Sequence, residues 1–465
     1  MSLNIVVMAA GKGTRMKSAL PKVLHPLAGK PLAQHVLDAV APLPALRTIV
    51  ITGHGAEWVE QRVHGTDLHF ARQQPQLGTG HAVQQALPLL DDEAGTTLIL
   101  NGDTPLVRRE TAEALAAACG GTRLALLTVL LADPSGYGRI LRDASGGVLG
   151  IREHKDASAA EREIREGYTG MMAAPTAALR RWLSRLNNDN AQGEYYLTDI
   201  VAMAVAEGTP VVATQAASEA EVLGVNDPLQ LADLERRFQR QQADTLMRAG
   251  VRLLDPARFD LRGVLSHGAD VQIDVGCVFE GEVQLGDGVQ IGAHCVIKNA
   301  AIAAGAVIHP FTHIEGDASP VEVGEGALVG PFARLRPGAQ LGREVHIGNF
   351  VEVKNSRLAA GAKANHLAYL GDATVGERVN YGAGSITANY DGAHKHRTEI
   401  GADVHVGSNC VLIAPIRVGA GATVGGRSTI SKDVPAGQLA VARGKQVHIE
   451  GWRRPVKNPK GEKKT

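Results

Sequence analysis

Between Val264 and the carboxy terminus the chain repeats itself every six residues. Val323, Val329, Leu335, Leu341, Ile347 and Val353 fall six apart, and so do Ile400, Val406, Leu412, Val418, Val424 and Ile430. Gly follows many of them, as at Gly324, Gly330, Gly342, Gly348, Gly401, Gly407, Gly419 and Gly425. A period of six suits neither an amphipathic helix nor an ordinary meander. The hexapeptide parallel β-helix does produce it: each apolar residue enters a narrow prism, and the small residue beside it lets the backbone turn the corner. With three hexapeptides per coil the region makes about nine coils, roughly 45 Å of rod at the inter-strand spacing.

The repeat is broken in three places. The steps from Val353 to Leu358 and from Leu370 to Val375 are five residues, and thirteen residues separate Thr387 from Ile400. Insertions in solenoids commonly build a binding face. His366 and the segment Asn389-Tyr390-Asp391-Gly392 lie beside these breaks, where a scaffold alone has no need of them.

The first half has a different grammar. From Asn4 to about Asn226, strand-like runs (Ile5 to Met8, Thr48 to Ile51, Thr97 to Leu100, Leu124 to Val129) alternate with helical ones (Leu32 to Val40, Ala82 to Leu90, Thr111 to Ala118). Strands spaced by helices predict a parallel α/β sheet, with ligands at the carboxyl ends of its strands. Between the halves, Leu231, Leu234, Phe238, Gln242 and Leu246 share one face of a connecting helix, which Gly250 ends.

A chain of 465 residues is too long for one core, so two domains are expected. Lys+Arg and Asp+Glu both number 48, which argues against nucleic acid or a membrane surface as partner. The start lacks the charge order of a secretory signal, and no apolar run is long enough to span a bilayer. Cys119, Cys277, Cys295 and Cys410 are far apart without C-x-x-C spacing, so they read as packing residues in a reduced, cytoplasmic compartment.

The strand Ile5 to Met8 runs into Ala9-Ala10-Gly11-Lys12-Gly13-Thr14-Arg15-Met16, and Leu20-Pro21-Lys22 follows. Glycines here let backbone N–H groups approach a phosphate, and Arg15 and Lys22 supply mobile positive charge. Neither G-x-G-x-x-G nor a G-K-[ST] ending is present, so dinucleotide and P-loop readings do not fit. The string G-x-G-T-R-M followed by L-P-K resembles the sugar nucleotidyltransferase family. Leu77-Gly78-Thr79-Gly80-His81-Ala82 looks like that family's base-binding loop, and Asn101-Gly102-Asp103 follows a strand where an acidic ligand for Mg²⁺ is needed.

With the hexapeptide half included, the resemblance is to the bacterial family of bifunctional N-acetylglucosamine-1-phosphate uridylyltransferases and glucosamine-1-phosphate acetyltransferases. Supporting runs include Gly136-Tyr137-Gly138-Arg139-Ile140, Glu153-His154-Lys155-Asp156, Ala191 to Tyr196, Gly330 to Gly338 and Gly451-Trp452-Arg453-Arg454-Pro455. The resemblance implies an α/β Rossmann-like nucleotidyltransferase domain (1–228), a linker helix (229–249) and a left-handed parallel β-helix of hexapeptide repeats (250–465). It also implies Mg²⁺ held by Asp103 and Asn226. For the nucleotide it implies Met8, Ala9, Ala10, Gly11, Lys22, Gln73, Gly78, Thr79, Asn101, Gly102 and Asp103, and for the sugar Gly138, Glu153 and the position of Tyr168. Two residues depart from the pattern: Asn101 stands where the family usually has Tyr, and Tyr168 where it has Asn.

Acetyl transfer from acetyl-coenzyme A needs a base, an anion site and a slot for the pantetheine arm. His366 is the best base by type, because imidazole titrates near neutral pH. Its segment, Lys363 to Asp372, resembles the family's catalytic one, which implies Glu352 as the residue orienting the imidazole. By the same resemblance Arg336 and Lys354 hold the sugar phosphate. Tyr369, Asn380, Asn389 and Tyr390 contact the acceptor and acetyl group, and Ala383, Ser408, Gly426 and Arg443 line the coenzyme slot. Family members pack as trimers, so a homotrimer is expected. The basic tail, Arg453 to Thr465, reads as a solvated terminus.

Rival readings are a single-activity nucleotidyltransferase with a regulatory β-helix, a scaffold with relic sites, and a metal-dependent solenoid hydratase. The last needs histidines repeating at coil spacing, and His346, His366, His394, His396 and His405 do not do so.

Overall fold

The computed structural model describes residues 2–91 and 94–454. The chain divides into two compact units. One comprises Met1–Thr245 with Asp260–Gly263, the other Leu246–Phe259 with Val264–Thr465.

The first unit is built on a sheet whose main path runs Val211–Gln215, Leu124–Leu130, Glu166–Pro175, Thr96–Asn101, Leu3–Ala9, Arg47–Thr52, Leu68–Arg72. Leu3–Ala9 pairs parallel with both its neighbours, which puts the carboxyl ends of the central strands at one edge. The parallel sheet expected from the sequence is mixed in the structure: Glu166–Pro175 runs antiparallel between Thr96–Asn101 and Leu124–Leu130. It also pairs with Gly138–Arg142, which forms an antiparallel pair with Val148–Arg152. The helices Leu32–Val40, Thr79–Ala86 and Arg109–Cys119 cover the sheet, so the predicted helical runs fall on real helices. One core holds Ile5, Val7, Val50, Leu98 and Leu100, and the other Val6, Ile49, Ile51, Ile99 and Trp182. Alternate residues of each central strand therefore face opposite layers.

The connecting helix spans Pro228–Arg248. It is held by packing as well as by the chain: Leu234 is buried with Met16, Leu27, Leu32, Leu106 and Val225, and Leu231 and Phe238 pack against that cluster.

In the second unit an 11-stranded parallel ladder forms one face, and a 16-stranded sheet supplies the others. This is the arrangement of a left-handed hexapeptide β-helix. Leu328 pairs with His346, one full coil of eighteen residues. The two five-residue steps shorten the next coils to seventeen, pairing His346 with Lys363 and Lys363 with Asn380. The thirteen-residue step lengthens the following coil to twenty-five, Asn380 pairing with His405. Val329, Leu335, Leu341, Ile347 and Val353 are all buried. Each such side chain contributes about 1.5–3 kcal/mol on leaving water. The small residue after the apolar one is a steric requirement: a Cβ at Gly348 would lie 1.9 Å from the carbonyl oxygen of Asn365 on the next coil.

All four cysteines are buried and unpaired, as packing residues should be. Among the described residues no helix is long and apolar enough to cross a membrane. Most of the basic tail, from Pro455 on, lies outside the described residues.

Candidate functional sites

The strand Leu3–Ala9 ends under a cavity of about 420 Å³. Its wall contains Met8, Ala9, Ala10, Gly11, Lys22, Gln73, Gly78, Thr79, Asn101 and Asp103, all predicted nucleotide residues. Gly102 stands between the last two, its N–H donating to the carbonyl of Met8 at 2.9 Å. The loop needs glycine at Gly13, where φ is +60° and a Cβ would sit 2.6 Å from Cβ of Lys22. That close approach brings Lys22 against the loop. Gln73 is buried and donates from Nε2 to the carbonyl of Gly78 at 2.9 Å, so the turn that starts the helix Thr79–Ala86 is braced from beneath.

A second cavity of about 550 Å³ shares Asn101 and Asp103 with the first and adds Arg15 and Asn226. Here four predicted residues meet. Lys22 Nζ forms an ion pair with Asp103 and donates to Asn226 Oδ1 at 3.3 Å, and Arg15 donates to the same oxygen at 2.8 Å. A carboxylate and an amide oxygen thus converge between two cations, a donor set suited to phosphates and a hard metal ion.

The predicted sugar residues line neither cavity but are brought together beside them. Tyr168 is the Cα partner of Gly138, and Glu153 accepts from the Thr198 hydroxyl at 2.9 Å. Burial, with Asp199 and Asp156 near by, pushes the Glu153 carboxyl above the ordinary range. The Tyr168 hydroxyl is buried without a hydrogen-bond partner, and burial together with Glu153 holds its pKa well above the usual phenol value. The two departures from the family pattern adjoin each other: the Asn101 amide donates to the carbonyl of Thr169, next to Tyr168, at 3.0 Å.

In the β-helix, the coil register aligns the predicted coenzyme positions with the predicted base. Hydrogen bonds from Gly384 to His366, Asn409 to Ala383 and Arg427 to Ser408 put His366, Ala383, Ser408 and Gly426 at equivalent places on successive coils. Arg443 closes the row, donating to the carbonyl of Gly426 at 3.2 Å. The spacing of about 4.8 Å per coil makes this a slot suited to an extended arm.

The anion residues lie on neighbouring strands. Arg336 donates to Glu352 at 2.8 Å, and Lys354 lies 3.9 Å from Asp372. Asp372 also accepts from Asn389, which is buried, and Tyr369 is the Cα partner of Glu352. Asn380 bonds His405, and the exposed Tyr390 donates to Gly392 within its own loop. Glu352, expected to orient His366, is instead turned to Arg336 and Arg334; the imidazole Nδ1 is bonded to Asn349 at 2.9 Å. Sequence reasoning also missed Lys395. This lysine, on the inserted loop, comes close enough to Lys354 to be the main cause that lowers its pKa, followed by burial. The signal available was the run His394-Lys395-His396-Arg397 in an insertion beside two predicted cations.

A nucleotide cradle on one unit and a repeat-built slot on the other define a nucleotidyltransferase joined to a hexapeptide transferase. Residues 5–133 match the MobA-like NTP transferase domain, and residues 266–299 and 320–355 match the bacterial transferase hexapeptide family. The chain is 74% identical over 462 residues to the bifunctional protein GlmU of Methylibium petroleiphilum, covering 98% of this chain and 99% of that one. It is 66% identical to the protein of that name from Paracidovorax citrulli (99% of each chain) and 59% identical to that of Azoarcus sp. (98% of this chain, 100% of the relative). The chain belongs to the GlmU family of bifunctional proteins.

Proposed function

We propose that the chain makes UDP-N-acetylglucosamine in two steps, acetylating glucosamine-1-phosphate in the β-helix and then joining the product to uridylate in the α/β unit. The observation that carries this reading is the pairing of two separate, chemically different sites: the Arg15, Lys22, Asp103 and Asn226 cluster, and the row from His366 to Gly426.

In the first step the proton of the sugar ammonium passes to Nε2 of His366. The freed amine attacks the thioester carbonyl of acetyl-coenzyme A, the C–S bond breaks, and the thiol leaves with the amine's surplus proton. Arg336, Lys354 and Lys395 supply the positive field for the sugar phosphate. In the second step a phosphate oxygen of N-acetylglucosamine-1-phosphate attacks the α-phosphorus of UTP in line, and the bond to the β-phosphate breaks, releasing pyrophosphate. No base is needed, since the attacking oxygen is already anionic. Arg15 and Lys22 offset the charge that develops.

Asp103 and Asn226 would hold Mg²⁺, and their hard oxygens fit it. Among the described residues no three His, Cys, Asp or Glu side chains form a cage for a cation, so the remaining ligands would be substrate phosphates and water. When bound, the ion neutralises phosphate charge and holds the two esters together.

A homotrimer is supported by one surface. Phe311, Phe332 and Phe350 stack at 5.0 and 5.4 Å along one corner of the β-helix, with Leu367 at the equivalent place on the next coil. They are 51, 48, 56 and 60% exposed. All four have positive φ, a conformation costing bulky residues on the order of 1–3 kcal/mol each. A strained, exposed apolar ridge beside His366 is the kind of surface that a second copy covers. A cytoplasmic location fits these substrates and the four unpaired cysteines.

The test is to give the full chain each substrate pair separately. Thiol release from acetyl-coenzyme A with glucosamine-1-phosphate, and pyrophosphate release from UTP with N-acetylglucosamine-1-phosphate and Mg²⁺, are both expected. Pyrophosphate without thiol would leave the β-helix a regulator.

A further inference from the structure

The residue that holds the imidazole of His366 is an amide. Nδ1 lies 2.9 Å from Oδ1 of Asn349, and the two residues are Cα partners in the parallel ladder. This pairing depends on the five-residue step from Val353 to Leu358. A full eighteen-residue coil would set Leu367, not His366, beside Asn349. Glu352, three residues on, has its Oε1 2.8 Å from Arg336 and its Oε2 3.8 Å from Arg334, so both its oxygens serve guanidinium groups.

We propose that Asn349 is a positioning residue for acetyl transfer. Its side-chain oxygen accepts the Nδ1 proton of His366, which fixes the ring and leaves Nε2 unprotonated to accept the proton of the sugar ammonium. An amide suits this task better than a carboxylate. It selects the tautomer without a negative charge that would favour imidazolium, a form unable to act as base. The shortened coil is then part of the catalytic design, since it sets the acceptor opposite the base.

This inference rests on the reading of His366 as the base. Full-length Asn349→Ala is compared with the parent in two ways: the kcat and KM of thiol release, with pyrophosphate release as internal control, and the ¹⁵N-histidine spectrum, in which the two tautomers differ. The alanine variant is expected to lose on the order of 10- to 100-fold in kcat. KM for glucosamine-1-phosphate and pyrophosphate release should stay unchanged, and the His366 signal should leave the Nδ1–H pattern. Asn349→Asp, which keeps an acceptor oxygen but adds a negative charge, is expected to keep Nδ1 protonated and to move the His366 signal toward imidazolium. An alanine variant with parental kcat, or one that loses kcat while His366 stays Nδ1–H, overturns the proposal. His366→Ala retaining thiol release would instead defeat the underlying reading, and the spectra separate the two failures.

Discussion

The ammonium of Lys22 forms an ion pair with Asp103, and the same ammonium reaches Oδ1 of Asn226 at 3.3 Å. The acid is therefore neutralised by the residue that is to meet the triphosphate. Asp103→Asn should lower uridylyl transfer by on the order of 10²- to 10³-fold and raise the Mg²⁺ concentration giving half-maximal rate. Titration of pyrophosphate release against Mg²⁺ checks this, and an unchanged Mg²⁺ dependence would remove Asp103 from the ion's ligands.

Gly13 tests the loop. With φ at +60° and only 2.6 Å to Cβ of Lys22, an added methyl group must move one or the other. Gly13→Ala should cost about 1–2 kcal/mol in stability and raise KM for UTP, read by thermal melting and initial rates.

Tyr168 has a buried hydroxyl without a partner. Such a group costs about 1–3 kcal/mol, so Tyr168→Phe should raise the melting temperature. If the hydroxyl is kept for the sugar, KM for N-acetylglucosamine-1-phosphate rises while KM for UTP does not; a variant more stable and kinetically unchanged would show that the hydroxyl has no part in binding.

Glu153 makes stability depend on pH. Its folded pKa is raised, mainly by burial, so the native state binds more protons than the unfolded one between about pH 4.3 and the raised value. The contribution is fully present below the unfolded pKa and is lost as pH rises through the folded one. Glu153→Gln should flatten that slope and stabilise the protein at neutral pH, while weakening sugar binding. Chemical denaturation from pH 4 to 8 gives the slopes, and identical slopes would contradict the assignment.

The β-helix was legible because its core requires an inward apolar side chain every six residues, and Val329, Leu335 and Ile347 meet that need in plain sight. The direction of Glu166–Pro175 was not legible, since its hydropathy is the same whichever way it runs. Asn349 and Lys395 were missed for a related reason. Asn349 meets His366 through the register between coils, seventeen residues apart, and Lys395 meets Lys354 through closure of a loop. That loop is pinned by Asp391, which accepts from the backbone of Ala393 and His394 and bonds His396. The contact of Asn349 with His366 has no local sequence signature, and for Lys395 the one cue was the basic run His394 to Arg397 in the insertion. Lys22 and Asp103 had local cues, a Gly-rich loop and the end of a strand, whereas Asn226, 204 residues from Lys22, was legible only by resemblance.

Two independent sites on one chain should come apart in a pair of variants. Thiol and pyrophosphate release are measured for Asp103→Ala and for His366→Ala, each as the full chain. The first should keep thiol release and lose pyrophosphate release, the second should do the reverse, and a mixture of the two should make UDP-N-acetylglucosamine from glucosamine-1-phosphate. Loss of both activities in either folded variant, or thiol release surviving in His366→Ala, would contradict the two-site reading.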